Sequence, residues 1–423
     1  MIGGVTSESR PLPAADVDQR LPPAYPLVEG RIERLLTAYP LVDGHNDLPW
    51  EVRERAGYDF SRLDIATDLT RCTDLARLRA GHVGAQFWSV YVPSNLPGDT
   101  AVTATLEQVD AVHRLVAGYP RHLGLARTAD EVEAVFGSGR VASLMGAEGG
   151  QSIGCSLGAL RMLHVLGVRY MTLTHNDNTP WADSATDVAA LRGLSRFGVE
   201  VVREMNRVGM MVDLSHVSSD TMRAALAAAE APVIFSHSSA RGVTDVRRNV
   251  PDDVLETMRD GGGMCMVTFV PEFVNDDVAR WRAEAAAAAA EVGVDDKDYV
   301  RFLAFTRERT RDHPKPVATL EDVVRHCEHV REVAGIDHIG IGGDYDGTDT
   351  YPVGLEDVSG YPRLFEALAG RGWSDDDLAR LAGGNTLRVM RDVEAVARDI
   401  GARRGPSLAT FAELDGVPGL PTA

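Results

Sequence analysis

Eight short apolar runs recur along the chain, and each closes on or beside a polar or ionisable residue. They occupy 41–47, 84–92, 141–148, 170–175, 210–216, 232–237, 263–269 and 338–344. Stretches with helical spacing, such as 157–166 and 199–206, separate most of them. Near-continuous apolar strands alternating with helices predict a parallel sheet covered by helices. Eight repeats predict closure into an α/β fold of the (β/α)8 TIM-barrel type rather than an open doubly wound sheet. An open sheet would carry a Gly-rich phosphate loop near its first strand, and GxGxxG is absent.

Two segments break the repeat. Residues 271–334 are too long for one crossover and include an alanine run at 285–290 of high helix propensity. They are expected to form a helical excursion between the seventh and eighth strands, near the barrel mouth, as a lid or a subunit contact. The expected division is an N-terminal arm at 1–30, Pro-rich and polar, a barrel at 31–395 and a C-terminal tail at 396–423.

Charge narrows the partners. The 423 residues hold 43 Lys+Arg against 62 Asp+Glu, a formal charge of −19. Phosphate backbones and anionic membranes are bound by clustered cations, so neither nucleic acid nor a membrane is an expected partner. No run of about 18 apolar residues could form a spanning helix, and the first twenty residues lack the basic start and apolar run of a secretory signal. The four cysteines are too scattered for a disulfide framework or a zinc knuckle, which points to a reducing cytoplasm.

In such a barrel, chemistry sits at the C-terminal ends of the strands. The eight runs place His45, Asp47, Glu148, His175, His216, His237 and Asp344 there. Histidines and carboxylates converging on one mouth are ligand chemistry for zinc or another divalent transition metal. His45 and Asp47 are two apart, so on a strand both face one way and can grip one metal. His216 and His237 end consecutive strands and suit a second. Two adjacent cations need a bridging anion. A carbamylated lysine has no candidate, because Lys297 lies in the excursion and Lys315 between two prolines. Glu148 is the best remaining bridge. His175 is open among ligand, substrate contact and core residue, and Asp344 lies in a Gly-rich cluster that could be only a turn. Asp346 reads as a turn residue. His326-Cys327-Glu328-His329 reads as an exposed or half-buried helix face.

At these residues the sequence resembles the renal dipeptidase (membrane dipeptidase) family of the amidohydrolase superfamily. The resemblance is carried by Asp43-Gly44-His45-Asn46-Asp47, Glu148-Gly149-Gly150, Tyr170 to His175, Asp213-Leu214-Ser215-His216, Phe235-Ser236-His237, Arg247-Arg248-Asn249 and Gly342-Gly343-Asp344-Tyr345-Asp346-Gly347. It implies a zinc dipeptidase with two Zn2+ per chain, held by His45 and Asp47 and by His216 and His237, and bridged by Glu148 and a hydroxide. It also implies that His175 contacts the substrate carbonyl, Arg248 grips the dipeptide carboxylate and Asp344 shuttles the proton. A homodimer is implied as well. Two alternatives stay open: the same barrel opening a lactone, cyclic amide or phosphoester, or a non-catalytic metal-stabilised barrel.

Overall fold

The computed structural model describes residues 30–67 and 71–416. The expected arm, apart from Gly30, and the last seven residues lie outside them. Among the described residues nine strands run in chain order: β1 Leu41–Asn46, β2 Val83–Ser89, β3 Leu123–Leu125, β4 Val141–Ala147, β5 Val168–Thr172, β6 Met211–Asp213, β7 Ile234–Phe235, β8 Met264–Val267 and β9 Ile339–Ile341. All but β3 form a closed parallel ring, in which β2 pairs β4 and β9 pairs β1. The eight predicted runs are the eight ring strands. β3 is an extra three-residue strand along the start of β4.

The ring is legible because its strands are buried on both faces. All seven residues of β2 and of β4 are buried. Along β4, Ala142 and Leu144 belong to one apolar cluster with Phe87, Tyr170, Met264 and Met266. Val141, Met145 and Ala147 belong to a second, with helix residues such as Leu160 and Val201. This is the period-two alternation of a strand between a barrel interior and a helical layer. Gly146 is required by close approach: a Cβ there would overlap the Tyr170 ring.

The excursion after β8 contains the helices Pro271–Val274, Asp276–Glu291 and Tyr299–Arg309. The alanine run lies in the second of these, and Trp281, Ala285, Ala289 and Phe302 make a small apolar cluster of their own. The next helix, Leu320–Ala334, packs on β8 and β9 and is the barrel's own crossover helix. His326 and Cys327 lie on its buried side, which corrects the expectation of an exposed or half-buried face for that pair. The His326 ring accepts from the Ala240 backbone N–H at 3.1 Å, which explains how a histidine is tolerated there.

The helix Asn385–Arg403 crosses the expected boundary at 395, and its Leu387, Met390 and Val393 join the apolar cluster that fills the barrel interior. Beyond it, Asp415 accepts from Ser195 Oγ and from the backbone N–H groups of Arg196 and Phe197, capping the helix Arg196–Val208. Among the described residues no helix is long and apolar enough to cross a membrane, and all four cysteines are free thiols.

Candidate metal centre

β1 ends at Asn46, so Asp47 is not a strand residue; it is the N-cap of the helix Leu48–Ala56. The expected reason for its pairing with His45 is therefore wrong, yet the pairing exists, because the turn brings Asp47 Oδ2 to 3.3 Å from His45 Nε2. The turn is fixed from across the ring closure. Asp47 N–H donates to the Tyr345 carbonyl at 2.8 Å, and Asp344 N–H donates to the His45 carbonyl at 3.2 Å. Asp43 accepts from the Gly343 N–H at 2.8 Å and from Gln86 Nε2 at 3.0 Å.

The strand-end residues meet at one point. Glu148 Oε2 lies 3.4 Å from His45 Nε2, while its other oxygen, Oε1, lies 3.0 Å from His216 Nε2 and 3.4 Å from His237 Nε2. Asp344 Oδ1 lies 3.9 Å from His45 Nε2. Three sets of side chains bring ligand atoms close enough to share an ion: His45, Asp47 and Glu148; Glu148, His216 and His237; and His45, His237 and Asp344. His216 and Asp344 both adopt positive φ, +66° and +59°. Strain of that kind persists only where the surroundings enforce it, and it collects at functional sites.

Two ring orientations are set by partners outside the cluster. Tyr170 Oη donates to the Gly44 carbonyl at 3.0 Å, so it accepts from His45 Nδ1 at 2.8 Å. Ser236 Oγ donates to Asp213 Oδ2 at 2.6 Å and accepts from His237 Nδ1 at 2.8 Å. Each network places the ring proton on Nδ1 and leaves the Nε2 lone pair facing the cluster, as metal-ligating histidines require. His45 Nε2 and Asp47 Oδ1 are buried without a hydrogen-bond partner, and His216 Nε2 stands 2.9 Å from His237 Nε2. Buried lone pairs crowded in this way, with this donor set, fit cations.

The electrostatics agree. Burial pushes the His216 and His237 rings well below their usual range, which keeps them in the neutral, ligating form. Burial works against protonation of His45, but Tyr170, Glu148 and Asp47 outweigh it and hold that ring well above its ordinary value, so the negative potential at Nε2 draws in a proton where a bound cation would take its place. Glu148 is itself buried, yet His45, His175, His216 and His237 keep it well below the carboxylate range. Asp344 is pushed up to about 8 by burial, with Asp47 and Glu148 adding to the rise.

His175 lies at the rim, its ring 4.3 Å from His216 and 4.8 Å from Tyr91, and burial lowers its pKa. Arg248 is 4% exposed and stacks 5.1 Å over Phe273. Its Nη1 donates to Ser238 Oγ at 3.3 Å, its Nη2 to the His237 carbonyl at 3.4 Å, and its Nε has no partner. Among the described residues no carboxylate lies within ion-pair distance of it. A buried guanidinium left without an anion is a receptor for one. Asp346 is not in the cluster; it is buried, accepts from the Cys72 N–H at 3.0 Å and has a turn role, as expected. The excursion reaches the rim too: Lys297 Nζ lies 2.6 Å from Asp177 and 3.3 Å from Asp187, in the loop that follows His175.

The sequence profile of the membrane dipeptidase family, peptidase family M19, matches residues 29–404. The chain belongs to that family. It is a metal-dependent peptidase built on a (β/α)8 barrel. Among solved structures, the dipeptidase AC, a metallo peptidase of family M19, is 27% identical with a TM-score of 0.69, covering 84% of this chain and 98% of that one. A metallo peptidase from Rhodobacter sphaeroides, liganded with a phosphinate mimic of the dipeptide L-Ala-D-Ala, is 25% identical with a TM-score of 0.70, covering 84% and 99%. The probable dipeptidase PvdM from Pseudomonas aeruginosa shares the fold, with a TM-score of 0.77 at 22% identity, covering 86% and 98%.

The structure brings His45, Asp47, Glu148, His175, His216, His237 and Asp344 together, with Arg248 behind His237. Tyr170, Ser236 and Asp213 escaped sequence reasoning as orienting partners. The only signal was position: each lies in or just beyond a ring strand, close to the residues singled out.

Proposed function

We propose that the chain is a binuclear zinc dipeptidase that hydrolyses the peptide bond of free dipeptides, including L-D stereoisomers. The observation that carries this reading is the division of Glu148, with one oxygen toward His45 and the other toward His216 and His237. In this reading His45 and Asp47 would hold one zinc ion, His216 and His237 would hold the other, and Glu148 would be shared between them. Bound zinc supplies Lewis acidity, polarising the scissile carbonyl and making water a nucleophile near neutral pH.

The remaining work falls to the chain's own side chains. Arg248 receives the substrate's C-terminal carboxylate on its unpaired Nε and the fork beside it, which selects for a free dipeptide end. His175, neutral at working pH, donates a hydrogen bond to the carbonyl oxygen as negative charge develops there. Asp344 accepts the proton lost by the attacking water and returns it to the leaving amine. Burial, Asp47 and Glu148 push Asp344 up to about 8, and bound cations would bring it back down toward the anionic form that a base requires. The liganded Rhodobacter sphaeroides relative supports including L-D dipeptides.

The test is amine release from a panel of L-L and L-D dipeptides by zinc-reconstituted protein, with and without chelator, alongside metal analysis. Two zinc ions per chain and chelator-sensitive hydrolysis are expected. Silence across the panel with two zincs bound would transfer the reading to another amide or ester, and a single zinc would refute the binuclear arrangement.

A further inference from the structure

At the end of the barrel opposite the metal centre, where β5 and β6 begin, a cleft of about 340 Å³ opens beside the helix Asn385–Arg403. Arg127, Arg169, Arg207 and Arg398 line it against one carboxylate, Glu394. Glu394 is already engaged, its Oε1 accepting from the Ala129 backbone N–H at 3.0 Å. Arg207 is neutralised by Glu204 at 2.7 Å.

The other three guanidiniums have no such partner. Arg169 donates through Nε and Nη1 to the carbonyls of Arg127, His164 and Val168, and among the described residues no carboxylate lies within ion-pair distance of it. The side chains of Arg127 and Arg398 make no hydrogen bond or ion pair among the described residues. Burial, and after it Arg127, pushes Arg169 down to about 10. Burial, then Arg169 and Arg207, pushes the His164 ring in the same wall down to about 4. Both shifts register positive potential that Glu131 and Glu394, each engaged with a backbone N–H, offset only in part. In a chain with 62 acidic residues against 43 basic ones, three guanidiniums in one concavity with no ion-paired carboxylate among the described residues suit an external anion. Met211, Met390 and Val393 give the same cleft an apolar side.

We propose that this cleft binds a small organic anion, its carboxylate, sulfonate or phosphate head among Arg127, Arg169 and Arg398 and its apolar body against Met211 and Met390. Guanidiniums bind such heads by charge-assisted, often bidentate hydrogen bonds. The apolar wall adds affinity that an inorganic ion cannot use. The site lies across the barrel from Arg248, so its occupant is distinct from the peptidase substrate, and its existence does not depend on the reaction proposed above.

The experiment is calorimetric titration of the metal-loaded full chain with 2-naphthalenesulfonate and with inorganic sulfate at constant ionic strength. Both probes are expected to bind, the sulfonate more tightly, and a saturating dipeptide should not displace either. Arg127→Gln combined with Arg398→Gln should weaken both by about tenfold or more while leaving dipeptide hydrolysis unchanged. Ala397→Glu, which sets a carboxylate in the wall of the cleft, should do the same through a different change. Unchanged affinity in both variants, no binding to the wild type, or binding displaced by dipeptide and lost in Arg248→Met would each overturn the site. Equal affinity for sulfate and the sulfonate would overturn the organic half of the proposal.

Discussion

Tyr170→Phe removes a single oxygen from the barrel interior and leaves the ring that fills it. That oxygen accepts from His45 Nδ1 at 2.8 Å and donates to the Gly44 carbonyl at 3.0 Å, with Tyr170 fully buried. Without it, two buried polar groups lose their partner and His45 is free to move its proton to Nε2, the atom facing the cluster. Losing an orienting partner of this kind weakens metal binding by roughly 10- to 100-fold, which is about 1.4–2.7 kcal/mol. The loss should fall on one zinc only, because His237 is oriented by a separate chain through Ser236 and Asp213. The assay is chelator competition on metal-free wild type, Tyr170→Phe and Ser236→Ala, resolved into two binding steps. Tyr170→Phe should weaken the step that depends on His45 and Ser236→Ala the other. If Tyr170→Phe left both steps untouched, or lowered both equally, the assignment of separate orienting networks would be refuted.

Asp344→Asn should keep both metals, by elemental analysis, while losing turnover by about 100-fold or more; loss of a metal would instead make Asp344 a ligand. Arg248→Lys should raise KM for free dipeptides by about tenfold with kcat less affected, since an ammonium cannot reproduce the fork; an unchanged KM would reject the carboxylate contact. His326 is held down to about 4 by burial, against 6.5 when free, so the unfolded chain binds the extra proton between those values. Its contribution is therefore full above pH 6.5 and lost as pH falls toward 4, by up to about 3 kcal/mol. Urea denaturation across that window should show a flatter pH dependence for His326→Gln than for the wild type. Lys297→Met cuts a half-exposed tie, so KM should rise by no more than about fivefold with Tm nearly constant; a collapse in Tm would show that the tie holds the fold together.

The ring strands were legible because burial on both faces leaves little choice of residue, and because each apolar run stops where the barrel opens to its mouth. The ligand candidates were legible for the same reason, as ionisable residues placed where the apolar pattern ends. Asp47 does lie beside His45, but not for the expected reason, since periodicity cannot see that Asp47 caps a helix beginning at Leu48. His326 was misread because its partner, the Ala240 amide, lies 86 residues away in sequence. Tyr170, Ser236 and Asp213 act through contacts that only the closed ring creates. The same holds for Asp415, whose capping of the helix Arg196–Val208 joins residues 219 apart.

Ring closure also constrains how the molecule comes into being. Asp43 on β1 pairs with Ile341 on β9, and its carboxylate takes the Gly343 N–H across 300 residues of chain. During synthesis β1 emerges early, yet its second neighbour is among the last parts of the barrel to be made. Until then β1 and β8 each present an open edge, the condition that invites pairing with another chain. A nascent or truncated chain ending before β9 would keep His216 and His237 but lack Asp344, and would leave the His45 turn without its backstop. In the proposed reaction, competence for catalysis therefore waits for the final strand, and until it pairs the two sheet edges stay open to another chain.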